Sequence, residues 1–172
     1  MPTLARDPTD VPGADGGSVD RGRVDYPRVA PGAVRAQHAL SAYVRDAGFA
    51  PALLELVALR ASYLNGCAYC VDRHAKDARA AGEGEQRVYS VPVWRKMPCY
   101  TPRERAALAW TDAVTRLGVD GVPDAVYAEA RGAFDERELV DLTMAVIAIN
   151  GWNRLAISFR QPAGAYAPPA RR

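Results

Sequence analysis

The chain has 172 residues, a formal net charge of +2, and 49% hydrophobic against 24% charged residues, which suits one globular domain with a real core. That balance, with no basic stripe interleaved with aromatics, excludes a nucleic-acid reader. No apolar run approaches the ~20 residues that span a bilayer, and Met1 to Val24 holds no hydrophobic signal core, so the sequence predicts a cytoplasmic protein with no membrane partner.

Residues 1 to 27, rich in Gly, Pro and Asp, read as a flexible arm. Pro31 fits the first turn of a helix running to about Asp46, with Val34, Leu40, Tyr43 and Val44 as its apolar members and Gly48 as its stop. Pro51 opens a second helix through Leu64, which Asn65-Gly66 ends. A third helix follows at once and stops near Gly82, and residues 83 to 100, broken by Pro92 and Pro98, are less regular. Thr101-Pro102-Arg103-Glu104 is a capping box with proline at the first helical position, predicting a helix that ends before Gly118. Another helix spans Pro123 to Arg131, and Asp135 to Glu138 caps a long apolar one through Ile157. The tail from Gln161 to Arg172 is Pro- and Ala-rich and reads as extended. No strand alternation interrupts this order, so the fold class is all-α, with the domain over residues 28 to 160.

The third helix carries the chemistry. Cys67, Cys70 and His74 are separated by three, four and seven residues and therefore share one helix face. In a reducing compartment a CxxC is catalytic or metal-binding rather than a structural staple. Only the thiolate attacks, and a free thiol of pKa about 8.5 is mostly protonated at neutral pH. A helix starting near Cys67 favours a thiolate there through its unpaired N–H groups and dipole, whereas His74 accepts a proton from Cys70 one turn away. The two effects favour different cysteines, and the choice stays open on these grounds.

Glu55 is a carboxylate out of place in Leu53-Leu54-Glu55-Leu56-Val57. Taken alone it reads as a surface carboxylate on a helix apolar elsewhere; burial would instead raise its pKa and improve it as a proton acceptor. If Asn65-Gly66 turns the chain into a helical hairpin, Glu55 lies ten residues before the turn and His74 eight after it. At about 1.5 Å per residue those distances are roughly 15 and 12 Å, so the two side chains come opposite one another. A carboxylate orienting an imidazole that serves a thiol follows the logic of activated nucleophiles. Cys67, Cys70, His74 and Glu55 also compose a conceivable zinc site, but structural zinc takes ligand pairs from two knuckles and no second pair is present. His38 reads as a helix-surface residue and Cys99 as a small buried one. Trp94, Trp152, Phe134 and Tyr63 suit a hydrophobic approach to the thiols, although core packing is the commoner use of such aromatics. Asn150, Asn153 and Arg154 read as structural.

Glu55, the string Ser62-x-x-Asn65-Gly66-Cys67-x-Tyr69-Cys70-x-x-x-His74 and the later Asn150-Gly151-Trp152-Asn153-Arg154 together resemble the alkylhydroperoxidase D-like (AhpD-like) core of the carboxymuconolactone decarboxylase superfamily. The resemblance implies an all-helical bundle whose hairpin carries the CxxC, assembling as a homo-oligomer, a trimer or hexamer. It implies a cofactor-free peroxidase in which Cys70 attacks the hydroperoxide, Cys67 resolves it as a disulfide, and Glu55 with His74 relays the proton. A lipoylated or thioredoxin-like dithiol protein would then re-reduce the pair. The chain departs from the pattern at Tyr69, where the peroxidases of this family have histidine. The decarboxylase branch lacks the CxxC, so lactone decarboxylation is not implied. Two other classes compete: a redox sensor whose dithiol switches without turnover, and a zinc-binding structural module.

Overall fold

The computed structural model describes residues 22–169, and every regular element in it is helical. In chain order these are α1 (Tyr26–Val29), α2 (Pro31–Asp46), α3 (Pro51–Asn65), α4 (Ala68–Ala80), α5 (Glu85–Ser90), a 3-10 helix (Val91–Lys96), α6 (Pro102–Thr115), α7 (Asp124–Ala133) and α8 (Glu136–Ser158). The β pairing among the described residues is one isolated bridge, Gly118 to Gly121. No helix among them is long and apolar enough to cross a membrane.

Local chemistry sets most boundaries. The Thr101 hydroxyl accepts from the Glu104 N–H while the Glu104 carboxylate accepts from the Thr101 N–H, and Asp135 with Glu138 repeats this reciprocal cap at α8. Prolines occupy the first turns of α2, α3 and α6, where no N–H is missed. The stretch expected to be irregular is instead α5 and the 3-10 helix. Gly84 caps the first and Pro92 sits in the opening turn of the second, where proline is tolerated.

Helix α3 is the hub. Leu53 and Val57 enter one core cluster with Phe49, Trp110, Leu142 and Val146. Leu56 and Leu59 enter a second with Trp94, Tyr100 and Leu108. Ala58 and Ala61 face a third, smaller cluster with Cys67, Cys70, Ile149 and Ala156. A helix apolar on every side is one buried on every side, which explains the run Leu53 to Leu59. The two charges along it are each answered. Arg60 Nε lies 2.5 Å from Asp112 Oδ1, and Glu55 meets a partner on α4.

Two features fix α4 and α8 against this hub. Gly66 caps α3 in the left-handed region (φ +69), which glycine adopts without a Cβ penalty, and so reverses the chain into α4. The Asn65 amide then donates to Asn150 Oδ1 (2.9 Å) and Asn153 Oδ1 (2.8 Å) on α8. Asn153 is fully buried and its own amide donates to Ser62 Oγ at 3.1 Å. The structural role assigned to Asn150 and Asn153 is therefore the pinning of the hairpin. On the other side of α8, Gln37 donates to the Ala148 carbonyl (2.7 Å) and fills the space beside Gly151.

The expected arm falls largely outside the described residues. Its described end is packed: Arg23 N–H donates to the Phe159 carbonyl at 2.8 Å, and Tyr26 is buried with its ring 5.6 Å from that of Phe159. Replacing Asn65 with alanine leaves a buried carbonyl on Asn153 without its donor, so Asn65→Ala is expected to lower stability by ~2 kcal/mol. Urea unfolding followed by circular dichroism checks this; a lower midpoint at unchanged slope is the expected result.

Candidate active site

The turn at Gly66 delivers Cys67 to the N-cap of α4, where its Sγ accepts the Cys70 N–H at 3.3 Å. The two sulfurs are joined as a disulfide across a Cα–Cα distance of 5.3 Å. With only two residues between the partners, the ring closes because the helical turn already brings positions three apart onto one face. Both cysteines are nearly sealed, at 1% exposure for Cys67 and 2% for Cys70. They differ in what they face. Both pack in the small-residue cluster with Ala58, Ala61 and Ala156, but only Cys70 also lines a cavity of about 730 Å³.

Glu55 and His74 meet as the hairpin geometry requires, with Glu55 Oε2 2.8 Å from His74 Nδ1. Glu55 is neither fully exposed nor sealed in the core: its side chain is 23% exposed and that of His74 18%, because both form part of the cavity wall. The bond at Nδ1 fixes the imidazole plane and leaves Nε2 as the nitrogen available for proton exchange. Cys70 and His74 stand one turn apart on the same wall. Of the four residues singled out from the sequence, Glu55, Cys70 and His74 thus line one cavity, and Cys67 is bonded to Cys70 behind it.

Several wall residues escaped the sequence reading. His38 is exposed on α2, as its helix-surface reading has it, and it also lines the cavity, with its ring 4.8 Å from that of Trp152, whose Nε1 donates to Ser41 Oγ at 2.9 Å. Val34, His38, Ser41 and Arg45 all face the cavity, and their spacing of four, three and four is the helical stripe that could have found them. Arg73 and Asp77 flank His74 on α4, and Tyr166 reaches the cavity from the tail. The Tyr166 hydroxyl donates to Asp77 Oδ1 at 2.6 Å. Burial and that bond push the Tyr166 phenol up to about 12, so it remains a donor at neutral pH. Tyr69, the departure from the peroxidase pattern, is itself a wall residue.

Of the aromatics considered as an approach to the thiols, Trp152 serves the cavity. Trp94 and Phe134 are buried in the two larger clusters, and Tyr63 packs against the second of them. Cys99 is half-buried beside Ser90 and takes no part in the cavity. Among the described residues Glu55, His74 and Asp77 are the group whose ligating atoms converge, within 4.8 Å of one another. Glu55 is already bonded to His74 and Asp77 to Tyr166, and the two sulfurs of the conceivable zinc set are bonded to each other.

Residues 31–113 match the model of the carboxymuconolactone decarboxylase family. The uncharacterized protein YdfG of Bacillus subtilis is 37% identical over 136 residues, spanning 79% of this chain and 92% of its own. The crystal structure of ATU0492 from Agrobacterium tumefaciens, a protein of unknown function described as a candidate antioxidant defence protein AhpD, superposes with a TM-score of 0.81 at 42% identity, covering 84% of this chain and 99% of that one. The debrominase Bmp8 shares the fold alone, with a TM-score of 0.70 at 18% identity over 78% of this chain and 73% of its own. With its helical hairpin, its CxxC pair and these relatives, the chain belongs to the AhpD-like proteins of the carboxymuconolactone decarboxylase superfamily.

Proposed function

We propose that the protein is a dithiol peroxidase that reduces organic hydroperoxides through Cys70 and Cys67, with Glu55 and His74 as its proton relay. The observation that carries this reading is the cavity, lined by Cys70 and the hydrogen-bonded Glu55–His74 pair together with apolar Val34, Leu54, Ile149 and Trp152. Such a lining suits an alkyl hydroperoxide whose polar end must lie at the thiol.

His74 removes the proton from the Cys70 thiol, and Glu55 stabilises the imidazolium that results. The thiolate attacks the distal peroxide oxygen, the O–O bond breaks, and the departing alkoxide takes the proton from His74 as alcohol. Cys70 is left as sulfenic acid. Cys67 attacks that sulfur, releasing water and forming the disulfide, so that one hydroperoxide and two thiols give one alcohol, one water and one disulfide. An external dithiol returns the pair to the reduced state and becomes a disulfide itself. The position of Cys67 at the N-cap supports this division of labour, because N–H groups that stabilise its thiolate make it the better leaving group when Cys70 is attacked. A protein dithiol, lipoylated or thioredoxin-like, is the donor in this reading. Homo-oligomeric assembly belongs to it too, supported by Val140 and Ile147, exposed and seven residues apart on α8.

The assignment of the cysteines is tested by peptide mass spectrometry after one equivalent of cumene hydroperoxide. Cys70→Ser abolishes both turnover and the initial oxidation, whereas Cys67→Ser permits a single oxidation that stops with Cys70 as sulfenic acid. If Cys70→Ser keeps the initial reaction and Cys67→Ser loses it, the roles are reversed. Steady-state consumption of hydroperoxide with a dithiol donor separates the enzyme from a sensor, which would consume one equivalent and halt.

The relay is tested with Glu55→Gln, which retains the shape of the side chain. Loss of the proton acceptor lowers kcat/KM by about 10²-fold, with the thermal midpoint little changed. A pH–rate profile identical to that of the unsubstituted protein removes Glu55 from the relay.

A further inference from the structure

Helix α4 turns Cys70 and His74 to the cavity, but its neighbouring charged face is not left to solvent. Residues 161–169 lie across it. The strap is rooted in the end of α8, where Gln161 N–H donates to the Ala156 carbonyl at 2.9 Å. It then meets a set of side chains on α4 that together grip its backbone. Lys76 Nζ lies 2.9 Å from the Gly164 carbonyl, 2.9 Å from the Tyr166 carbonyl and 2.9 Å from Asp72 Oδ2. An ammonium has three N–H donors, and here all three are used.

Asp72 closes the ring by accepting the Gly164 N–H at 3.2 Å. Gly164 itself has φ +102, a conformation that favours glycine and curves the strap so that both carbonyls face Lys76. Beyond the curve, Tyr166 donates its hydroxyl to Asp77 and places its ring 4.9 Å beneath the Arg73 guanidinium. Only two of the 22 basic residues are lysines, and the compact head of a lysine suits two neighbouring carbonyls better than the planar fork of an arginine.

The strap holds its place by these polar contacts rather than by burial. Every one of its described residues is exposed or half-exposed. Segments with few buried apolar groups open at a small fraction of the global unfolding free energy, so the latch decides how often this one is closed. Its inner side is functional surface: Gln161, Tyr166, Pro168 and Pro169 form a wall of the Cys70 cavity.

We propose that residues 161–169 are a specificity-determining strap, latched to α4 by Asp72, Lys76 and Asp77, that limits the bulk of the molecule able to reach Cys70. This rests on the reading that Cys70 reacts from the cavity, and it adds a selection step to it. Small hydroperoxides enter with the strap latched, and a bulky reagent reaches the thiol only when it opens. Lys76 and Asp72 are not part of the cavity wall, so the latch can be weakened without changing the lining.

The test measures access to Cys70 and not turnover, so it stands apart from the peroxidase reading. The full-length chain is reduced and alkylated with iodoacetamide or with the bulky fluorescein-5-maleimide, and the rate at Cys70 is followed by peptide mass spectrometry. Lys76→Met keeps the stem and removes the three donors; the ratio of bulky to small rates is expected to rise about tenfold. Tyr166→Phe keeps the ring and removes the bond to Asp77, and a smaller rise is expected. Circular dichroism confirms that each variant is folded, and if Lys76→Met is not, Tyr166→Phe carries the test alone. An unchanged ratio in the folded variants, including the case in which both reagents accelerate equally, overturns the proposal.

Discussion

The left-handed turn at Gly66 is the constraint on which the site depends. It sets the offset between α3 and α4, and that offset places Glu55 against His74 across the hairpin. The same turn makes Cys67 the N-cap of α4, which puts the two sulfurs on one helical face with Cys70 toward the cavity. A turn of this kind is only as rigid as its anchorage. Asn65 supplies that anchorage through two bonds to α8, and the buried Asn153 passes it on to Ser62 in α3. The asparagines are thus part of the site without touching it.

The surroundings of the disulfide follow from the same geometry. Large side chains of α3 fill the two larger clusters, while Ala58 and Ala61 leave room for the sulfurs between α3 and α8. Larger residues at these positions would push α4 outward and lengthen the Glu55–His74 contact. The cavity joins polar groups from α2, α3 and α4, among them His38, Glu55, Arg73 and His74, to an apolar lining from Val34, Leu54, Ile149 and Trp152. A hydroperoxide has the same asymmetry, with a reactive polar end and an apolar remainder.

Much of this was legible in the sequence because the information is local. The capping boxes at Thr101 and Asp135 need only four residues each, and the shared face of Cys67, Cys70 and His74 needs only the helical period. The meeting of Glu55 with His74 was legible because a short turn converts sequence distance into height along two helices. What stayed hidden depends on contacts between distant segments. His38 became a wall residue only when α2 crossed α8 and met Trp152. Tyr166 lies in a Pro- and Ala-rich tail with no periodicity, and its place is set by Lys76, Asp72 and Asp77, some ninety positions earlier. Whether Glu55 lay on the surface or in the core could not be read from its apolar neighbours, because the cavity that leaves it partly exposed is built from distant segments.

The central claim is that Cys70, relieved of its proton by the Glu55–His74 pair, reacts with a hydroperoxide and closes onto Cys67. Intact-mass and peptide analysis of the reduced, unsubstituted chain during titration with tert-butyl hydroperoxide tests it most directly. The account predicts a loss of two hydrogens per chain at one equivalent, a Cys67–Cys70 disulfide as the product, and a rate first order in peroxide. Persistence of the reduced pair, or oxidation confined to Cys99, would contradict it.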